Sequence, residues 1–141
     1  MRYYKLPLTV DKILLNEEAN TCSLEESISK FIHLIATSHF GELDYDASFG
    51  CKIWNVDFDN LSGTDKLKNS ISKSISKSLI LHEKRLEKIM VDVSVIQDEF
   101  KGKTKHNRVK KRVDIKVSGT KKQTNESFSC VESFYIAPLA Y

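Results

Sequence analysis

The sequence predicts an α+β domain: two main helices packed on a three-stranded antiparallel sheet, with an extended N-terminal arm. Three observations predict it. Leu67, Ile71, Ile75 and Leu79 recur every fourth residue, which stacks them on one helix face. Ile89, Val91, Val93 and Val95 recur every second residue, which puts them on one strand face. Two more alternating runs follow, separated by polar connections, and antiparallel hairpins pair such runs most economically. Helices first and strands after is the order of an α+β domain with its helices on one sheet face.

In chain order, residues 1–15 mix apolar and polar groups around Pro7. Tyr4, Leu6, Leu8 and Val10 alternate, which predicts a short extended arm; residues 16–22 are polar and read as loop. Ser23 opens the first helix, with Glu26 at the capping-box spacing. Leu24, Ile28, Phe31, Ile32 and Ile35 form its apolar face through about Ser38. His33 falls off that stripe and reads as a rim residue rather than a ligand. Residues 39–61 are the longest irregular region, and Phe49, Trp54 and Phe58 argue that it is packed by its own aromatics. Gly41 fits a helix C-terminal cap, and Gly50 a close approach or a positive φ.

The second helix starts at Ser62 or Thr64 and runs to about His82. Ser alternates through residues 69–78 in a stretch that looks like low complexity. Its four-residue repeat is close to a helical turn, so it reads as a helix with a narrow Ile stripe. Ser lowers helix propensity, so packing must hold this helix. The three strands are placed at Ile89–Gln97, about Arg108–Ser118 and about Ser127–Ile136. Val113, Ile115 and Val117 share a face of the second, and Phe128, Cys130 and Phe134 roughly alternate in the third. The apolar tail, residues 137–141, is expected to dock on something.

The 141 residues have the length of one domain, 1–141, and 40% of them are hydrophobic, as in ordinary soluble proteins. No run approaches the roughly 18 apolar residues of a membrane helix, so no direct membrane insertion is expected. Pro7, Asp11 and Lys12 interrupt any signal-peptide core behind the basic N-terminus, and the protein is expected in the cytoplasm. Cys22, Cys51 and Cys130 are an odd count without close pairs, which reads as small buried hydrophobes rather than a disulfide or zinc framework. Residues 101–141 carry ten Lys/Arg against three acids, and residues 1–100 carry twelve against sixteen. That asymmetry points to charge-oriented contact with partners.

Glu42, Asp44 and Asp46 have the residue types of a glycosidase pair, against the plainer reading of a solvated acidic loop. His82-Glu83 begins a zincin motif, but Leu86 stands where its second His must be. There is no Gly-rich phosphate loop, Cys-x-x-Cys or nucleophile elbow. No small-molecule substrate, cofactor or metal is implied. The run from Lys101 to Arg112 holds seven cations and no acid. It admits three readings: a phosphate-binding hairpin, a solvated hairpin or edge guarded by Lys, and a protein contact made by Lys110, Lys111 and Arg112. It lacks interleaved aromatics for stacking bases, which counts against nucleic acid.

The helical pattern ends and the alternating one begins around Glu83-Lys84-Arg85-Leu86. Residues two apart diverge on a helix and share a side in an extended segment. Glu83 and Arg85 therefore come together only once the helix has stopped. Two readings stand side by side: a structural ion pair closing the helix end, and an interface feature built on Arg, which favours bidentate carboxylate pairing.

Four segments, in order, resemble the phage baseplate wedge family called GPW, whose bacterial member is the TssE component of type VI secretion systems. Ser27-Ile28-x-x-Phe31-Ile32-x-Leu34-Ile35-x-Thr37 looks like its first-helix signature. Gly41-Glu42 with Phe49-Gly50-Cys51-x-Ile53-Trp54 looks like its loop. The Ile71–Leu81 helix leads to Glu83-Lys84-Arg85-Leu86, similar to its Glu-Pro-Arg-Leu motif, and a Val-rich strand follows. The Tyr3–Pro7 opening and the Ile53–Phe58 run are similar to versions carried by Bacteroidota. The resemblance implies a non-enzymatic wedge subunit of a contractile injection machine. It would contact other wedge subunits through Glu83, Arg85 and Leu86, help start sheath polymerisation, and work within a hetero-oligomeric assembly. Its fold would be similar to the assembly domain of the sheath protein, which joins by strand exchange. Some relatives carry a lysozyme-like label; nothing in this sequence supports that activity. Lys84 replaces the family's Pro and so loosens the constraint that proline places on the helix end. On the interface reading, Arg85→Ala leaves the monomer folded and abolishes assembly.

Overall fold

The computed structural model describes residues 2–51, 64–100 and 108–136; of residues 64, 97–100, 108–111 and 136 it describes the backbone alone. The elements run β1 (Tyr3–Tyr4), α1 (Val10–Leu14), β2 (Thr21–Cys22), α2 (Leu24–Thr37), α3 (Thr64–His82), β3 (Leu86–Phe100), β4 (Arg108–Lys121) and β5 (Ser127–Ile136). β3, β4 and β5 form an antiparallel meander, and β1 pairs with β2 in a separate two-stranded sheet. The predicted α+β class holds.

Apolar periodicity builds the core directly. Ile28, Ile32 and Ile35 of α2 and Leu67, Ile71, Ile75 and Leu79 of α3 join Val93, Val113, Ile115, Val117 and Phe128 of the sheet in one buried cluster. α3 lies along β3, while α2 touches α3 and β5. The Ser-rich sequence of α3 is held by this packing, since Ile71, Ile75 and Leu79 are fully buried.

Ser23 caps α2, its hydroxyl accepting the Glu26 N–H at 3.2 Å. The Glu26 carboxylate faces Lys5 Nζ at 3.5 Å. At the other end the structure corrects the reading of Gly41. The helix stops at Ser38, which is extended (φ −94°, ψ 143°). The Thr37 and Ser38 hydroxyls donate back to the His33 and Leu34 carbonyls at 2.8 and 2.7 Å, so no left-handed residue is needed. Gly41, at φ 80°, serves a turn farther on. Gly50 meets both expectations: its φ is 117°, and a Cβ there would sit 2.7 Å from the Ser38 carbonyl oxygen. This close approach lets the Cys51 N–H donate to that oxygen at 3.0 Å. Of the aromatics assigned to the loop, Phe49 packs on Phe31 with centroids 5.9 Å apart. Trp54 and Phe58 lie outside the described residues.

The N-terminal region is more structured than an extended arm. Val10, Ile13 and Leu14 have helical spacing and form α1, which buries none of its residues. β2 occupies the end of the segment read as loop. The alternation of Tyr4 to Val10 covers too few residues to outweigh the helical pattern that overlaps it.

β3 and β4 are longer than predicted. Leu86 and Ile89 are three apart, so one regular strand cannot place both on the core face. The register shifts between Glu87 and Met90, with Lys88 at φ 52°. This bulge lets Leu86 be buried while Ile89 packs on the same core. The β4–β5 turn closes with Asn125 at φ 57° and the Lys121 N–H donating to the Glu126 carbonyl at 2.8 Å. Cys51 is buried, but Cys22 and Cys130 are half-buried, and none of the three is in a disulfide. Burial pushes the Cys130 thiol up to about 11. Among the described residues, no helix is long and apolar enough to cross a membrane.

Candidate functional site

α3 ends sharply without proline. The Glu83 N–H makes the last helical bond, to the Leu79 carbonyl at 2.8 Å. The Glu83 carboxylate then turns the chain: Oε1 accepts the Arg85 backbone N–H at 3.0 Å and its Nε at 2.8 Å, and Oε2 accepts Nη2 at 2.7 Å. This is the bidentate pairing to which a guanidinium is shaped. Nη1 donates to the Ser27 hydroxyl of α2 at 2.8 Å. The Arg85 carbonyl accepts the Lys122 N–H of the β4–β5 turn at 2.9 Å. The guanidinium lies 5.6 Å from the Tyr3 ring centroid and 5.9 Å from that of Phe31, within cation–π range. Hydrogen bonding to Glu83 raises its pKa further.

The two members of the pair differ in access. The Glu83 side chain is 1% exposed and that of Arg85 31%. Glu83 therefore braces Arg85 from below, and Leu86, 3% exposed, is a core residue. Of the three residues expected from the sequence at this turn, Glu83 and Leu86 are buried in this chain and Arg85 is accessible. Arg112 is a third exposed and pairs with Asp114 at 3.2 Å; Asp114 also accepts from Ser133 at 2.7 Å. The backbones of Lys110 and Lys111 pair with Asp98 and Gln97 across β3 and β4. Their side chains, and the basic stretch 101–107, lie outside the described residues.

Sequence reasoning did not anticipate Tyr3, Ser27 and Phe31 as one cage around Arg85. Ser27 and Phe31 belong to the first-helix signature, but nothing in their spacing points 58 residues downstream. It also missed Lys121, buried between Glu25 at 2.7 Å and Glu126 at 2.8 Å, which ties the start of α2 to the β4–β5 turn.

The acidic loop contains a Ser48, His82 and Asp46 constellation. Ser48 Oγ is 3.2 Å from His82 Nε2, and His82 Nδ1 is 3.8 Å from Asp46 Oδ2. The polarity is wrong for a nucleophile. Ser48 Oγ donates to Asp46 Oδ1 at 2.5 Å, so its proton is committed to the acid and it can only accept from His82. Those Ser48 hydrogen bonds hold the Asp46 carboxyl below its ordinary pKa. Glu42 accepts the His39 N–H at 2.8 Å. With Phe49 set against His82 at 5.2 Å, the cluster closes the loop onto the end of α3. His33 sits at the rim, half exposed, 2.9 Å from Glu132. Among the described residues, no group of three His, Cys, Asp or Glu is placed to hold a metal.

The fold is a small helix-on-meander domain whose long helix ends in a braced Glu-x-Arg turn, and its family is that of the baseplate wedge proteins of phage-tail-like machinery. The chain belongs to the family described as Baseplate wedge protein gp25, whose model matches residues 22–125. It is similar to a solved Geobacter sulfurreducens protein carrying the provisional name tail lysozyme. The two are 25% identical with a TM-score of 0.60, over 87% of this chain and 100% of that one. No curated protein matches it.

Proposed function

We propose that this chain is a non-enzymatic wedge subunit of a contractile injection machine of the type VI secretion kind. It works in the cytoplasm, binds neighbouring wedge subunits through Arg85 and helps start sheath assembly. The observation that carries this reading is the accessible Arg85 guanidinium, held rigidly by a buried carboxylate in a chain of the baseplate wedge family. A charge fixed before contact loses little side-chain entropy on binding, which favours specific docking. Lys110, Lys111 and Arg112 add a second, basic contact on β4.

The name of the Geobacter protein favours a muralytic alternative. Ser48 holds Asp46 below its ordinary pKa, the wrong direction for the acid member of a glycosidase pair, which excludes Asp46 from that one role. Turnover of peptidoglycan by the purified chain, lost on changing Glu42, Asp44 or Asp46, would establish that alternative and overturn ours.

The geometry corrects the simplest test. Arg85→Ala strands a buried Glu83, so the monomer loses stability as well as its contact. A comparably destabilised core variant, Ile75→Ala, serves as control. Loss of co-purification with wedge subunits in Arg85→Ala, retained in Ile75→Ala, is the expected result. Equal loss in both would make Arg85 structural only.

A further inference from the structure

We propose that the cleft beside Arg85 binds an acidic, extended peptide segment of a partner protein, with one carboxylate on the Arg85 guanidinium and neighbouring acids on Lys84 and Lys122. This rests on the reading of Arg85 as a contact residue and adds the chemistry of what it contacts. The cleft has a volume of about 340 Å³ and is lined by Tyr3, Leu24, Lys84, Arg85, Lys122 and Gln123. Its wall holds three cations and no carboxylate. Glu83 is buried beneath and fully engaged with Arg85, and the neighbouring acids Glu25 and Glu126 are both paired with Lys121.

Donor capacity remains for a ligand. A guanidinium has five N–H groups. Among the described residues Nε, Nη1 and Nη2 each have one acceptor, which leaves one N–H on each terminal nitrogen. Lys84 and Lys122 are exposed and have no ion pair with a described residue. An incoming carboxylate therefore meets unsatisfied donors on a rigid, partly desolvated cation, where a charged hydrogen bond is stronger than at an open surface.

The rest of the wall selects a peptide. Tyr3 and Leu24 give it an apolar side, and the Tyr3 hydroxyl is anchored to Gln123 Oε1 at 3.2 Å. A volume of about 340 Å³ is at the small end of ligand pockets. It suits one carboxylate side chain and an apolar neighbour. Nucleic acid fits poorly, because the guanidinium of Arg85 already occupies cation–π range of the Tyr3 ring that a base would need for stacking.

The test titrates the full, isotope-labelled chain with the capped tetrapeptide acetyl-Glu-Leu-Glu-Asp-amide and with its neutral counterpart acetyl-Gln-Leu-Gln-Asn-amide. The expected result is saturable shifts of the Tyr3, Leu24, Lys84 and Lys122 amides with the acidic peptide alone. The affinity should fall about tenfold in Lys84→Glu/Lys122→Glu at unchanged Tm, and should weaken with added salt. Equal binding of the neutral peptide, shifts centred on residues 101–112, or no saturation by about 5 mM peptide would overturn the proposal. Wedge assembly separates the two readings. If Lys84→Glu/Lys122→Glu assembles normally while Arg85→Ala does not, the acidic-segment proposal falls and the Arg85 reading stands. If Arg85→Ala also assembles, both fall.

Discussion

Glu83 holds Arg85 by three hydrogen bonds, one to its backbone N–H and two to its guanidinium. The same carboxylate thus stops a helix and aims a cation. Removing either side chain leaves the other partly desolvated and unpaired. Arg85→Ala and Glu83→Ala should each cost about 2–3 kcal/mol, somewhat below the value for a fully buried pair because Arg85 is 31% exposed. Urea denaturation of both single variants and the double variant measures this. A coupling energy of about 1–2 kcal/mol is expected, and strict additivity would contradict the pairing.

Lys84 stands at the tip of that turn with its side chain exposed, and its backbone N–H donates to no described residue. Proline there removes no hydrogen bond and restricts the unfolded chain. Lys84→Pro should therefore leave stability unchanged or raise it by up to about 1 kcal/mol. A marked drop in Tm would show that the turn requires a conformation proline cannot adopt.

Ser78 is fully buried in α3, and its hydroxyl has no hydrogen-bond partner among the described residues. Ser78→Ala removes a desolvated polar group at little cost in volume, so it should be neutral or stabilising by about 1 kcal/mol. On the same helix, Ile71→Ala and Ile75→Ala open cavities and should each cost about 2–4 kcal/mol. Ile80, 64% exposed, should tolerate alanine. Thermal melts of the four variants would reveal the pattern.

Acid should weaken the fold through two carboxylates. Lys121 and Thr124 hold Glu126 below its ordinary pKa, and Ser48 does the same for Asp46. Such groups contribute stability above their unfolded pKa and lose it as pH falls through the lower folded value. Tm should therefore drop as pH falls below about 4. The drop should be shallower in Glu126→Gln, which has lost that linkage. Identical acid profiles for the variant and the parent would refute a contribution from Glu126.

Gly50 sits at φ 117° against the Ser38 carbonyl. Gly50→Ala combines backbone strain with a clash and should cost about 1–3 kcal/mol. A circular-dichroism melt checks this, and an unchanged midpoint would mean the junction between α2 and the loop can relax.

Local spacing alone fixed much of this protein. Four-residue recurrence from Leu67 to Leu79 placed α3. Two-residue recurrence placed the meander, because each pattern buries one face whatever lies opposite. The Ser23 cap and the Gly50 contact were also legible, being demands of the backbone within a few residues. The joining of Glu83 to Arg85 was legible too, since extended geometry puts residues two apart on one side. Their unequal burial was not. It depends on Ser27 of α2, Tyr3 of β1 and the Lys122 turn arriving at one place. The bulge at Lys88 and the burial of Lys121 between two acids likewise arise from pairings across the fold. A single chain's periodicity reports which face of an element is apolar. Only packing decides which neighbour covers it, and therefore which charge is buried and which is left for a partner.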